Sequence, residues 1–168
     1  MITGPDWLLI ENPKTATQAM RSALSEFPVT AHRHQPFWGG SKRVRAVFVR
    51  NPFDRMVSAY LYNVHHTRRG KVPFSDWLQG APWFDLGHDL KRTSQMIWAW
   101  GATDVMRYES LDEDWPALLQ KIGLRDRPLP RVNASGDRPH YRDLIDARSR
   151  AIIEDRFAPD MFMWGYRW

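Results

Sequence analysis

Lys14, Thr15 and Thr17 stand in a stretch that is neither strand nor helix. Just before it comes a short apolar run of strand length, Trp7-Leu8-Leu9-Ile10, broken at Asn12-Pro13. Just after it, Met20, Ala23, Leu24 and Phe27 recur at the spacing of an amphipathic helix. A tight turn from a buried strand into a helix leaves backbone N–H groups unpaired at the positive end of the helix dipole. A lysine and two hydroxyls there complete a cradle suited to a phosphate or a sulfate. The glycines of G-x-x-x-x-G-K-[ST] are missing, so an ordinary nucleotide-triphosphate loop is not indicated. On this segment alone, a threonine-capped helix after a strand fits equally well.

A second constellation lies at Arg50 and Ser58. Val44-Arg45-Ala46-Val47-Phe48-Val49 predicts a strand whose broken alternation suits burial on both faces of a parallel sheet. Arg50 sits at its end. Asn51 is a good N-cap, Pro52 fits the first helical position, and Asp54 falls in the first turn. Phe53, Met56, Val57, Tyr60, Leu61 and Val64 then make a helical apolar stripe with Ser58 among them. Arg50 and Ser58 could reach one anion at the carboxyl edge of the sheet, where open α/β folds bind ligands. A capped helix beside a solvated arginine is the plainer alternative, and two such strand–turn–helix units weaken it.

The remaining elements must hold these turns in place. A strand is expected at Val29–His32, then a loop from His34 to Arg43. Val64-His65-His66-Thr67-Arg68-Arg69-Gly70-Lys71 ends the second helix in a basic cluster, as a solvated C-terminus would, with a contribution to an anionic acceptor or cofactor as the alternative. Short helices are expected at Phe74–Leu78 and around Met96, Ile97 and Trp100, and a strand at Val105–Tyr108. Asp112-Glu113-Asp114 open a helix with Trp115, Leu118, Leu119 and Ile122 as its stripe and Gly123 as its stop. One helix is expected from Tyr141 to Phe157, with the aromatic tail Phe162–Trp168 packing back. This βαβ order implies a three-layer α/β fold around a short, mainly parallel central sheet flanked by helices.

The chain has 168 residues, which suits one domain, 1–168, and no linker or repeat divides it. Its net charge of +5 favours anionic partners. Without cysteine there is neither a disulfide framework nor thiolate chemistry. No apolar run approaches the roughly 20 residues of a membrane span, and no signal pattern opens the chain. A soluble, cytoplasmic protein is expected. His32-x-His34 has no third partner in view, so no metal is expected.

Pro13-Lys14-Thr15-Ala16-Thr17-Gln18-Ala19-Met20-Arg21-Ser22-Ala23-Leu24 resembles the 5′-phosphosulfate loop of the sulfotransferases that use 3′-phosphoadenosine 5′-phosphosulfate (PAPS). Val44 to Tyr62 resembles their 3′-phosphate-binding strand and helix. The similarity is closest to the carbohydrate sulfotransferase branch and its small bacterial relatives. It continues through Arg107-Tyr108-Glu109-Ser110-Leu111, Val132-Asn133-Ala134-Ser135 and Asp160 to Tyr166. Ala16-Thr17-Gln18 stands where the family often has Gly-Thr-Thr, and a protein without the membrane anchor of the animal carbohydrate enzymes is expected.

The resemblance implies a P-loop-like fold and in-line transfer of a sulfuryl group to a hydroxyl or amine, with PAP as product. Lys14 would stabilise the leaving oxygen. Thr15, Ala16, Thr17 and Gln18 would hold the 5′-phosphate, and Arg50 and Ser58 the 3′-phosphate. His88 is the leading base, since carbohydrate sulfotransferases often carry a histidine before a Pro-Gln or Ser-Gln segment; Gln95 follows it here, and His34, His65, His66 and Glu11 stay open. The acceptor is expected to be a carbohydrate, lined by His34–Lys42, Arg68–Pro73 and Trp83–Thr93. Two other classes compete. A nucleotide-dependent phosphotransferase shares the strand–loop–helix logic but lacks the Walker glycines here. A nucleic-acid binder would suit the basicity, yet the basic residues are scattered and no known motif appears. No oligomeric state is legible.

Overall fold

A computed structural model of the protein describes residues 1–28, 39–66, 72–79, 93–130 and 139–168. In chain order the elements are β1 (Ile2–Thr3), β2 (Trp7–Ile10), α1 (Thr17–Ala23), β3 (Val44–Val49), α2 (Pro52–His66) and α3 (Phe74–Gln79). There follow α4 (Met96–Ala99), β4 (Asp104–Arg107), α5 (Leu111–Lys121), α6 (Tyr141–Leu144), α7 (Ala147–Arg156) and α8 (Ala158–Trp164). The expected strand at Val29–His32 lies outside the described residues. The architecture is mixed α/β, a four-stranded sheet flanked by helices. Two compact units are distinguishable, Met1–Arg50 with Gln95–Ala134, and Asn51–Ser94 with Ser135–Trp168.

The first unit holds the sheet, in strand order β1-β2-β3-β4. β2 pairs parallel to β3 through Leu9↔Ala46 and Ile10↔Val47, and β3 parallel to β4 through Val47↔Val105 and Val49↔Arg107. The short β1 runs antiparallel to β2 and has no counterpart in the sequence expectations. Burial explains the unalternating composition. Trp7, Leu9, Val44, Ala46 and Phe48 pack with Met20 and Leu24 from the α1 region and Trp115, Leu118 and Leu119 of α5. Their neighbours Leu8, Ile10, Val47 and Val49 are buried as well. A strand covered on both faces gains nothing from polar alternation. Gly123 ends α5 as expected: its φ is +73°, and Leu124 N–H returns to the Leu119 carbonyl at 2.8 Å.

The parallel register has one consequence for chemistry. The carboxyl ends of β2, β3 and β4 reach the same edge, so Glu11, Arg50 and Tyr108 emerge there.

The second unit is helical. Asn51 caps α2 as its type predicts, Oδ1 accepting Phe53 N–H at 3.0 Å while its carbonyl accepts Arg55 N–H at 2.9 Å. Phe53, Met56 and Val57 pack with Phe74, Leu78, Ile145, Ile153 and Phe157. The single helix expected over Tyr141–Phe157 is instead two. Ile145 is extended, and the Asp146 carboxylate accepts Ser149 N–H at 2.7 Å, starting α7 afresh. A short acidic side chain offers the backbone an alternative to continuing the helix, and here that alternative wins. The aromatic tail does pack back at its end: Trp168 meets Phe53 edge-on at 4.8 Å and Tyr141 at 5.5 Å. Phe162, on α8, stays 90% exposed.

Candidate active site

The loop between β2 and α1 holds the positive-φ residues other than glycine among the described residues. Lys14 (φ 70°) and Ala16 (φ 62°) both adopt the left-handed conformation without being glycine. Each such residue costs roughly 1–2 kcal/mol and persists only where its surroundings impose it. The impositions are visible. Thr15 Oγ1 donates to the Asn12 carbonyl at 2.8 Å, and Asn12 Nδ2 donates to the Phe48 carbonyl at 2.8 Å. Arg50 Nη1 donates to the Lys14 carbonyl at 2.9 Å.

This overturns the threonine-capped alternative. Ala16 occupies the N-cap of α1 with no side-chain cap, and the Thr15 hydroxyl turns back into the loop. The helix's own bonding begins with Met20 N–H on the Ala16 carbonyl, so Thr17, Gln18 and Ala19 N–H groups precede it. Thr15 and Thr17 are buried, Lys14 and Ala16 half-buried, and Gln18 exposed.

Arg50 lies immediately beyond β3 and is 4% exposed. Its guanidinium sits 3.9 Å from the centre of the Tyr108 ring, a cation–π stack at the end of β4. The structure therefore brings Lys14, Thr15, Ala16, Thr17, Gln18 and Arg50 to one edge of one unit. Ser58 is half-buried on α2 in the second unit. His88 and His34 lie outside the described residues, and His65 and His66 are the last residues of α2. Among the described residues no group of three or more His, Asp or Glu is placed to hold a metal ion.

Two participants escaped the sequence reasoning as site residues. Tyr108 enters the sequence reading only as the end of a strand and within a family-like segment, although that place at the carboxyl edge is a usable signal. Gln95 served only as a landmark for His88. It is fully buried, and its amide grips the backbone of Arg50 from both sides.

Glu11, left open as a base, has a structural occupation. Its fully buried carboxylate accepts two bonds from the Arg21 guanidinium of α1 and one from the Met1 amine at 2.8 Å. Burial alone would raise its pKa, but the hydrogen bonds and charges of Arg21 and the amine outweigh it and hold the carboxyl below 4.5. A depressed folded pKa contributes stability above the unfolded value and loses it as pH falls through the folded one. Denaturant midpoints of the wild type should therefore drop as pH is lowered below about 4.5. Glu11→Gln should flatten that dependence and lower stability at neutral pH. An unchanged acid slope would assign it to other carboxylates.

The family model described as the sulfotransferase family matches residues 11–167. The chain belongs to the sulfotransferase family. The match begins at Glu11, at the end of β2, and spans the β2–α1 loop, Arg50 and Tyr108. A protein of Archaeoglobus fulgidus described as uncharacterized is 30% identical over 103 residues, 58% of this chain and 82% of its own length. No solved structure matches. As a sulfotransferase, the chain acts on an acceptor that receives a sulfuryl group; among its described residues no helix is long and apolar enough to cross a membrane.

Proposed function

We propose that this protein is a PAPS-dependent sulfotransferase of the P-loop-like fold. It transfers a sulfuryl group to a hydroxyl or amine of a carbohydrate acceptor in the cytoplasm, all of 1–168 serving as one functional domain. The observation that carries the proposal is the Arg50–Lys14 bond, which ties the ends of the two nucleotide-type segments together at the carboxyl edge of the sheet. The residues present fit a doubly anionic nucleotide. The buried Arg50 guanidinium reaches the Lys14 backbone there, in a left-handed loop leading into the first turn of α1.

PAPS supplies the sulfuryl group already activated on a phosphosulfate linkage. The chain then has to position and neutralise. Lys14 places an ammonium where negative charge grows on the leaving oxygen. Thr15, Ala16, Thr17 and Gln18 hold the 5′-phosphate, mostly by backbone N–H. Arg50 and Ser58 hold the 3′-phosphate by charge and hydroxyl. His88, neutral, accepts the proton of the attacking hydroxyl.

Transfer of label from PAPS across a panel of glycans, phenols, lipids and peptides, with products identified by mass spectrometry, tests the reading. A sulfated glycan is expected, and labelling of no acceptor alongside ATP-dependent phosphorylation would replace it with the phosphotransferase. With an acceptor in hand, His88→Gln should lower turnover roughly a hundredfold and remove the acidic limb near pH 6.5. Binding of PAP should hardly change. Near-native turnover with the limb intact would place the base elsewhere, with His34 next.

A further inference from the structure

β2 leaves the sheet at Ile10, its last pairing being with Val47, while β3 continues through Val49 to Arg50. Side chains take over the ladder where β2 departs. Asn12 Nδ2 donates to the Phe48 carbonyl at 2.8 Å. Gln95 Nε2 donates to the Arg50 carbonyl at 2.7 Å, and Gln95 Oε1 accepts Arg50 N–H at 2.9 Å. The same Oε1 accepts Asn12 Nδ2 at 3.0 Å, closing the chain of bonds. Asn12 and Gln95 are both 0% exposed. The orientation of the Gln95 amide is forced, because Arg50 presents one donor and one acceptor and only one way round satisfies both.

Gln95 is itself anchored. Its carbonyl accepts the N–H groups of Trp98 and Ala99 in the short α4, and Trp98 is completely buried. A fixed backbone at Arg50 fixes where its side chain starts. The guanidinium then lands on the Tyr108 ring and on the Lys14 carbonyl. Through Asn12 the same amide also reaches the start of the Lys14 loop.

We infer that Gln95 is a positioning residue for the nucleotide. It acts as a surrogate strand that fixes the backbone of Arg50, the 3′-phosphate cation, while Asn12 keeps its own bond to the Phe48 carbonyl. The inference rests on the PAPS reading, and it predicts a defect confined to the 3′-phosphate. A core glutamine with only a packing role would weaken all nucleotide binding alike.

The test is calorimetric binding of PAP and of AMP, which lacks the 3′-phosphate, to the wild type, Gln95→Met and Gln95→Glu. Methionine keeps the length and removes both polar partners of Arg50. Glutamate keeps the shape and an acceptor for Arg50 N–H but sets an oxygen against the Arg50 carbonyl, so it remains informative if the methionine variant does not fold. The wild type should prefer PAP strongly. In the variants that preference should fall about tenfold or more, with AMP affinity within about twofold of wild type. If the wild type prefers PAP and the variants keep its preference, even with both affinities lowered in parallel, Gln95 does not position Arg50. A wild type that does not distinguish PAP from AMP overturns this inference together with the PAPS reading.

Discussion

Lys14→Ala should lower turnover by about two to three orders of magnitude while leaving PAP affinity within a few-fold of wild type. The effect follows from where charge changes during the reaction. The ground-state phosphosulfate already shares its negative charge among many oxygens. The leaving oxygen acquires more only as the sulfuryl group departs, so an ammonium aimed at it acts mainly in the transition state. Stability should barely respond. The Lys14 side chain is half-buried, whereas the strained loop is held by the Thr15 hydroxyl and by Arg50 on the Lys14 carbonyl, a backbone atom that alanine retains. Alanine and lysine share the left-handed penalty at φ 70°, so neither relieves it relative to the other. A melting temperature near that of the wild type with turnover almost abolished is the expected pair of results. Retained turnover with a large loss of stability would mark Lys14 as structural.

What was legible in the sequence was whatever depends on neighbours close in the chain. The β2 run, the β3 strand, the Asn51-Pro52 entry to α2 and the Gly123 stop of α5 all follow from local composition, and the structure has them. The break at Ile145–Asp146 was also local, and the extended Ile145 and the Asp146–Ser149 bond reveal it. β1 is two residues long and carries no periodicity at all. The roles of Gln95 and Tyr108 were hidden for a different reason. Gln95 meets Arg50 across 45 residues of chain, and nothing in its immediate surroundings marks it for a sheet edge. Ala16 lies between these cases. Its departure from the family's usual glycine was visible, whereas the φ of 62° that makes the departure strained was not.

Arg50→Ala should weaken PAP binding more than any other single change to the nucleotide residues. Two charge-assisted bonds to the 3′-phosphate are worth roughly 3–6 kcal/mol together, about two to four orders of magnitude in affinity. On the proposed role of Ser58, Ser58→Ala should cost about 1 kcal/mol and weaken PAP only about fivefold. Burial sharpens the contrast. Arg50 is 4% exposed, so it meets an anion with little water to compete, and Tyr108 keeps its guanidinium plane oriented in advance. That same burial makes alanine a blunt substitution, since the Lys14 carbonyl loses its donor and the loop its tether. Arg50→Lys separates the two effects. A lysine keeps the charge but has no planar fork to stack on Tyr108 and bridge to the loop, so it should recover only part of the affinity. Calorimetry of PAP and AMP with Arg50→Ala, Arg50→Lys and Ser58→Ala gives the order directly. The proposal requires the preference for PAP over AMP to fall most in Arg50→Ala, less in Arg50→Lys and least in Ser58→Ala. PAP affinity unchanged in Arg50→Ala would remove the 3′-phosphate from this edge of the sheet.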